Sequence, residues 1–267
     1  MSTSVHSGHA SAAFERGSVL TDCAIAIFVS SLLVGSIATP LQTRVNESKK
    51  DQTLELLENA RAALLGYVSA RGYLPCPAND ASSGAEPAGT DHASGICPTY
   101  FGFLPAATLG VGNVDSQGYA VDAWGGAANR LRYAVSSQAV GSAVNTRAFT
   151  RTNGLRAAGV TNLSDPALSL FHVCASAAGI VPATSCGAAL TLVSTAPAVI
   201  WSVGANGASG GSSGDEAQNP NPNGGSADRI FVSRVASNVA GSEYDDLVTW
   251  IPMPVLLTRL LAAGQLP

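Results

Sequence analysis

The chain has 267 residues, a formal net charge of -4, charged side chains at only 12% of positions and 28 glycines. With no basic patch interleaved with aromatics, that balance gives nucleic acid no footing. Sparse charge and abundant Gly, Ser, Thr and Ala suit a secreted, turn-rich domain better than a highly charged cytosolic one.

Residues 1–17 are polar and end in Phe14-Glu15-Arg16-Gly17; Ser18-Val19-Leu20-Thr21-Asp22 then opens directly into an apolar run from Cys23 to Ala38, closed by Thr39-Pro40. An ordinary secretory signal places its cleavage site after the apolar core, whereas here the only leader-like segment precedes it. As a helix, 18–41 would be roughly 36 Å long, enough to cross a bilayer core. Ser30, Ser31, Gly35 and Ser36 allow close helix approach, so the segment reads as a helix packed on other helices. Asp22 at its rim would cost on the order of 2 to 3 kcal/mol in hydrocarbon, which favours a partner, although a helix N-terminus also suits its charge. Pro40 is placed either to kink the helix or to end it. Arg16 lies before the span and Arg44, Lys49 and Lys50 after it, so lysine and arginine counting sets no orientation.

This order resembles the class III signal of type IV prepilins and type II secretion pseudopilins. The resemblance implies that a prepilin peptidase cuts after Gly17 on the cytoplasmic side, that Ser18 becomes the methylated N-terminus, and that Asp22 stands at the fifth mature position, where it pairs with a neighbouring subunit during assembly. The family favours an aromatic residue at the place of Ser18 and glutamate at that of Asp22.

Polarity rises after Pro40. Leu54, Leu57, Ala60, Leu64, Leu65 and Val68 recur at helical spacing beside Lys49, Glu55, Glu58 and Arg61, which predicts an amphipathic helix over 42–72 that ends at Arg71-Gly72 ahead of Pro75. The remainder, 73–267, is long enough for a core of its own. Its early motifs, Gly72-Tyr73-Leu74-Pro75-Cys76-Pro77, Gly102-Phe103-Leu104-Pro105, Asp122-Ala123-Trp124-Gly125 and Leu131-Arg132-Tyr133, are similar to the early head of major pseudopilins. Physically, Asp and Gly make a turn, Trp supplies apolar area under it, and 131–135 alternates as a half-buried strand.

Further strands are predicted at 189–193, 198–203, 229–233 and 246–251, forming a small antiparallel sheet, and a short helix at 253–263 ends at Gly264. Between Gly204 and Asp228 lies a low-complexity loop rich in Gly, Asn, Pro and Ser, expected to be polar and exposed. The fold class is therefore α+β, a pilin-like fold with a long N-terminal helical spine on an antiparallel head with long loops.

Cys76, Cys97, Cys174 and Cys186 form an even set in a region the resemblance assigns to the periplasm, where disulfides persist. Three connectivities are open; the expected one, Cys76–Cys97 and Cys174–Cys186, closes two polar loops. No CxxC occurs, His92 and His172 are isolated, and His6 and His9 fall in the leader, so zinc is not indicated. In major pseudopilins a loop in the place of 204–228 binds calcium, and Asp215, Glu216, Asp228, Asp245 and Asp246 are the hard-oxygen candidates here. A solvated loop would use the same acids, and Asp245-Asp246 could equally turn the chain into its last strand. No nucleophile elbow, Ser-His-Asp or Cys-His set or carboxylate pair stands out, so no enzyme is expected.

These features imply a structural subunit of a type IV pilus or type II secretion pseudopilus-like filament. It would be held in a bacterial inner membrane with a periplasmic head before assembly. Its partners would be other pilin or pseudopilin subunits, the prepilin peptidase and the assembly platform. The alternative is a single-pass, membrane-anchored periplasmic binding protein that does not polymerise.

Overall fold

A computed structural model of the chain describes residues 18–141, 146–209, 214–220 and 228–266, apart from the side chains of 18–22 and 32–43. The expected leader with Gly17, and the side chains of Ser18 and Asp22, lie outside the described residues. The chain divides into two compact units, Met1–Glu47 and Ser48–Pro267.

In the first unit the described chain belongs to helix α1, Ser18–Arg71, and Pro40 falls inside the helix, not at its end. The described side chains of 23–31 are all exposed, with Ile25, Ile27 and Phe28 at 60%, 69% and 65%. The polar members are satisfied locally: Ser30 Oγ donates to the Ala26 carbonyl at 2.7 Å and Ser31 Oγ to the Phe28 carbonyl at 2.8 Å. Among the described residues no helix is long and apolar enough to cross a membrane. Much of the expected span, 18–41, has side chains outside the described set.

The second unit is α+β. The C-terminal part of α1 buries Leu57, Ala60, Leu64 and Val68, each at 1% exposure or less, in keeping with the i, i+3, i+4 spacing of its apolar residues. At roughly 1.5 to 3 kcal/mol per fully buried aliphatic side chain, this stripe is a main tie between helix and core. The helix stops at Gly72, which takes φ +78°, and the Gly72 N–H closes the last turn on the Val68 carbonyl at 2.8 Å.

Among the described residues seven strands follow: β1 Phe101–Phe103, β2 Arg132–Val135, β3 Phe171–Cys174, β4 Thr191–Ala196, β5 Ala198–Ser202, β6 Ile230–Val232 and β7 Leu247–Ile251. The unit also contains helices α2 (Ala106–Leu109), α3 (Gly154–Leu163) and α4 (Met253–Ala262). Strands β1, β2, β5 and β7 form an antiparallel sheet in the order β1-β2-β5-β7. A second sheet has the order β4-β3-β6, in which β3 runs antiparallel to β4 and parallel to β6. The sequence predicts one small antiparallel sheet; the structure has two, and the β3–β6 pair is parallel.

The register explains the layering. On one face of the larger sheet Tyr133, Val135, Ala198, Ile200 and Ile251 join the core that contains Leu57, Leu64, Val68, Leu256 and Leu260. On the other face Ala134, Val199 and Trp201 pack with Phe171, Val173, Ala196 and Phe231 of the second sheet. The period-2 alternation thus feeds two cores, so β2 is buried on both faces where a half-buried strand is predicted. The chain passes between sheets at Pro197, the single residue between β4 and β5. Proline has no N–H to continue a ladder, and its carbonyl accepts from Ser136 N–H at 2.9 Å.

Both disulfides form with the expected pairing, Cys76–Cys97 and Cys174–Cys186, each with its Cα atoms 5.5 Å apart. They close loops that contribute little to either main core; Cys174, Cys186 and Ile230 make a small cluster of their own.

Candidate metal centre

Strands β5 and β7 pair from Ala198↔Ile251 to Ser202↔Leu247, so the exit of β5 and the entry of β7 meet at one end of the larger sheet. Beyond β5 the chain turns at Gly204, with φ +66°. A Cβ there would lie 2.6 Å from Asp245 Cγ and 2.7 Å from Asp245 Oδ1, so only glycine lets the loop come this close to the acid. The Asp122-Trp124-Gly125 turn supports it from behind. Asp122 Oδ1 accepts from the N–H groups of Trp124 and Gly125 at 2.9 and 3.1 Å, while Oδ2 accepts from Ser202 Oγ at 2.5 Å and Asn129 Nδ2 at 3.0 Å. Asn129 Nδ2 also donates to the Gly204 carbonyl at 2.5 Å. The turn motif read from the sequence therefore positions the loop after β5.

Glu216, Asp245 and Asp246 converge there, each offering a carboxylate oxygen within 4.8 Å of the others. Glu216 and Asp246 are 1% and 6% exposed. Glu216 sits on a 3-10 turn, Glu216–Gln218, and accepts from the Asp245 N–H at 2.8 Å and from Asn206 Nδ2 at 3.0 and 3.2 Å. Asp245 Oδ2 accepts from the Asn206 N–H at 2.9 Å, and Asp246 Oδ2 accepts from Asn219 Nδ2 at 2.8 Å. Asn219, fully buried, also holds β6 by donating to the Val232 carbonyl at 3.0 Å and accepting from its N–H at 2.8 Å.

Three carboxylates so close in a buried site repel one another, and among the described residues none of them forms an ion pair with a lysine or arginine. Burial raises the Asp245 carboxyl to about 7, with the charge of Glu216 adding to the rise. Burial also pushes Asp246 well above the usual carboxylate range, helped by Glu216 and Asp245. Among the described residues two buried oxygens, Asn206 Oδ1 and Asp245 Oδ1, find no hydrogen-bond partner. An all-oxygen donor set with two orphaned acceptors is what a hard divalent cation, calcium above all, recruits, and a cation would relieve the repulsion that protonation otherwise relieves.

Of the five acids expected to bind calcium, three meet and two stand elsewhere. Asp215 is drawn to Arg234, whose Nε lies 2.6 Å from Oδ2, and accepts from the Ala177 N–H at 2.6 Å. Asp228 accepts from the Ile230 N–H at 2.7 Å at the start of β6. Asn206 was not anticipated; its place in Gly204-Ala205-Asn206-Gly207, a tight turn just past a strand, is the signal that could have found it. The exposed loop predicted over 204–228 is corrected in part. Glu216 and Asn219 are buried, and the Pro220 carbonyl accepts from Trp201 Nε1 at 2.8 Å.

A second group, Cys76, Glu86 and His92, is also close, but Cys76 is in a disulfide and offers no thiolate. Glu86 Oε1 instead accepts from the Cys76 N–H at 2.6 Å and lies 2.9 Å from His92 Nε2, which fastens the disulfide loop.

Comparison with protein-family models, with curated proteins and with solved structures returned no match.

Proposed function

We propose that the chain is a subunit of a type IV pilus or type II secretion pseudopilus-like filament, inserted in the inner membrane through the 18–41 segment before it assembles. The observation that carries this reading is the exposed apolar run Ile25, Ile27, Phe28 and Val29 on a helix, directly behind a leader-like sequence ending in Gly17. Exposed apolar surface of this kind needs lipid or another helix to cover it, and Ser30 and Ser31, bonded back to their own helix, leave room for close approach. The α+β unit adds weight, because the amphipathic part of α1 covers one face of an antiparallel sheet. The subunit acts mechanically or by binding.

In the same reading Glu216, Asp245, Asp246 and Asn206 hold calcium. Bound there, the ion neutralises the carboxylates and ties the loop after β5 and the Glu216–Gln218 turn to the entry of β7. Phe28→Asp tests the assembly role. It lies outside the α+β unit, so that unit should keep its thermal transition while incorporation into sheared or purified filaments is lost. Normal incorporation of Phe28→Asp overturns the role given to the exposed apolar run, and absence of the native chain from the filaments overturns the filament reading.

A further inference from the structure

At the β1–β2 edge of the larger sheet, remote in sequence from the acid cluster, a cleft of about 620 Å³ is lined by Asn79, Phe101, Phe103, Ala127, Arg130 and Arg132. That volume is within the range of small-molecule sites, which run to roughly 300 to 1,000 Å³. Its two arginines differ in what they already hold. Arg130 Nε donates to Asp115 Oδ2 at 2.7 Å, its Nη2 bonds Gln117 Oε1, and its guanidinium lies over Tyr119, 4.0 Å from the ring centroid. Its charge is spoken for.

Arg132 has no such counterion. Among the described residues no carboxylate lies within ion-pair distance of it, and its Nε is buried with no hydrogen-bond acceptor. The guanidinium meets an aromatic face instead: it stands 4.4 Å from the Phe103 centroid, with Arg130 at 5.6 Å from the same ring. The register Phe103↔Arg132 fixes this stacking, so the head group is held in place, and its Nη groups, which form no hydrogen bond among the described residues, are the donors it offers to the cleft. Burial lowers the Arg132 pKa to about 10, opposed by the charge of Asp80 and aided by that of Arg130. A guanidinium that is partly desolvated, prepositioned and without a counterion gains from an arriving anion part of what it has lost in hydration.

The surroundings narrow the class of anion. One guanidinium is open, and Asp80 at the exposed rim repels a second negative charge. Phe101, Ala127 and Ala128 offer apolar contact to whatever body carries the acid, the Phe103 face being taken by Arg132. We propose that this cleft binds a small monocarboxylate with an apolar or aromatic body, its carboxylate seated on Arg132 and its body against Phe101. The site is independent of the calcium cluster and of the filament reading.

Phenylacetate is a suitable probe, titrated calorimetrically into the full chain in detergent micelles, with phenylacetamide as the neutral isostere and inorganic phosphate as the general anion. Saturable, one-to-one phenylacetate binding is expected, with phenylacetamide and phosphate weaker by at least about tenfold, the equivalent of one charge-assisted hydrogen bond. Arg132→Gln should abolish the binding. Asp80→Asn, at an exposed position that forms no ion pair among the described residues, should tighten it, which keeps the test decisive even if the Arg132 variant unfolds. Equal binding of phenylacetamide, equal binding of phosphate, or unchanged affinity in Asp80→Asn overturns the proposal.

Discussion

Stripping divalent cations with EDTA should make the α+β unit less stable as pH rises from 5 to 8, and calcium should reverse this. A carboxyl whose folded pKa lies above its unfolded value binds more protons when folded, so it favours the fold at low pH. That contribution is lost as pH rises through the folded pKa. Asp245 moves from its ordinary 3.8 to about 7, so the window runs from about pH 4 to pH 7. Taken at full weight the change costs about 4 kcal/mol at pH 8, and solvent screening of a partly exposed group brings this to about 2 kcal/mol. For a unit of this size that lowers Tm by about 4–8 °C. Asp246 adds in the same direction. His92, lowered by burial but raised on balance by its contacts with Glu86 and the Thr150 carbonyl, and Asp122, raised by burial, also contribute stability that is lost with rising pH, but neither belongs to the acid cluster. The readout is therefore the difference between melts with and without calcium. At about 100 times its Kd, calcium contributes about 2.7 kcal/mol, or about 5–10 °C, at pH 8 and progressively less toward pH 5 as protons compete. Asp245→Asn should raise Tm in EDTA at pH 8 and shrink the calcium response. A calcium-independent Tm at pH 8, or an Asp245→Asn variant that responds like the native chain, would refute the reasoning.

Gly204→Ala should destabilise the unit in calcium and remove most of the calcium-dependent rise in Tm, because its Cβ would press on Asp245 and its φ of +66° disfavours any side chain; paired melts measure both effects. Replacing Cys174 and Cys186 together with Ser should cost about 3 kcal/mol by the loop-closure argument, read as a lower midpoint in urea with an unchanged pairing of Cys76 and Cys97 by peptide mapping.

The sequence signals that worked were those with one physical cause. The C-terminal part of α1 was legible because Leu57, Leu64 and Val68 repeat at helical spacing and Gly72 can take a positive φ, and β5 and β7 because they are apolar runs bounded by turn residues. Strand β3 was not legible. Phe171-His172-Val173-Cys174 is buried throughout between β4 and β6, so it shows no alternation, and its parallel partner β6 lies far along the chain. Strand β1 is three residues long and contains Gly102, which resembles a turn; the glycine is there because a Cβ would strike the Ala78 carbonyl. Helix α3 was missed because Gly154 and Gly159 weaken its signal, Gly159 having φ +74°. In the acid cluster, composition pointed to a solvated loop, while burial of Glu216 depends on Asn206 and Asp245 brought together across the β5–β7 pair, a tertiary contact that local spacing does not encode.

The filament reading rests on processing at the head of the apolar run, and intact-mass and peptide mass spectrometry of the chain taken from native membranes or filaments tests it most directly. The account predicts a mature N-terminus at Ser18 carrying one added methyl group. Retention of residues 1–17 on the membrane-bound chain would contradict it.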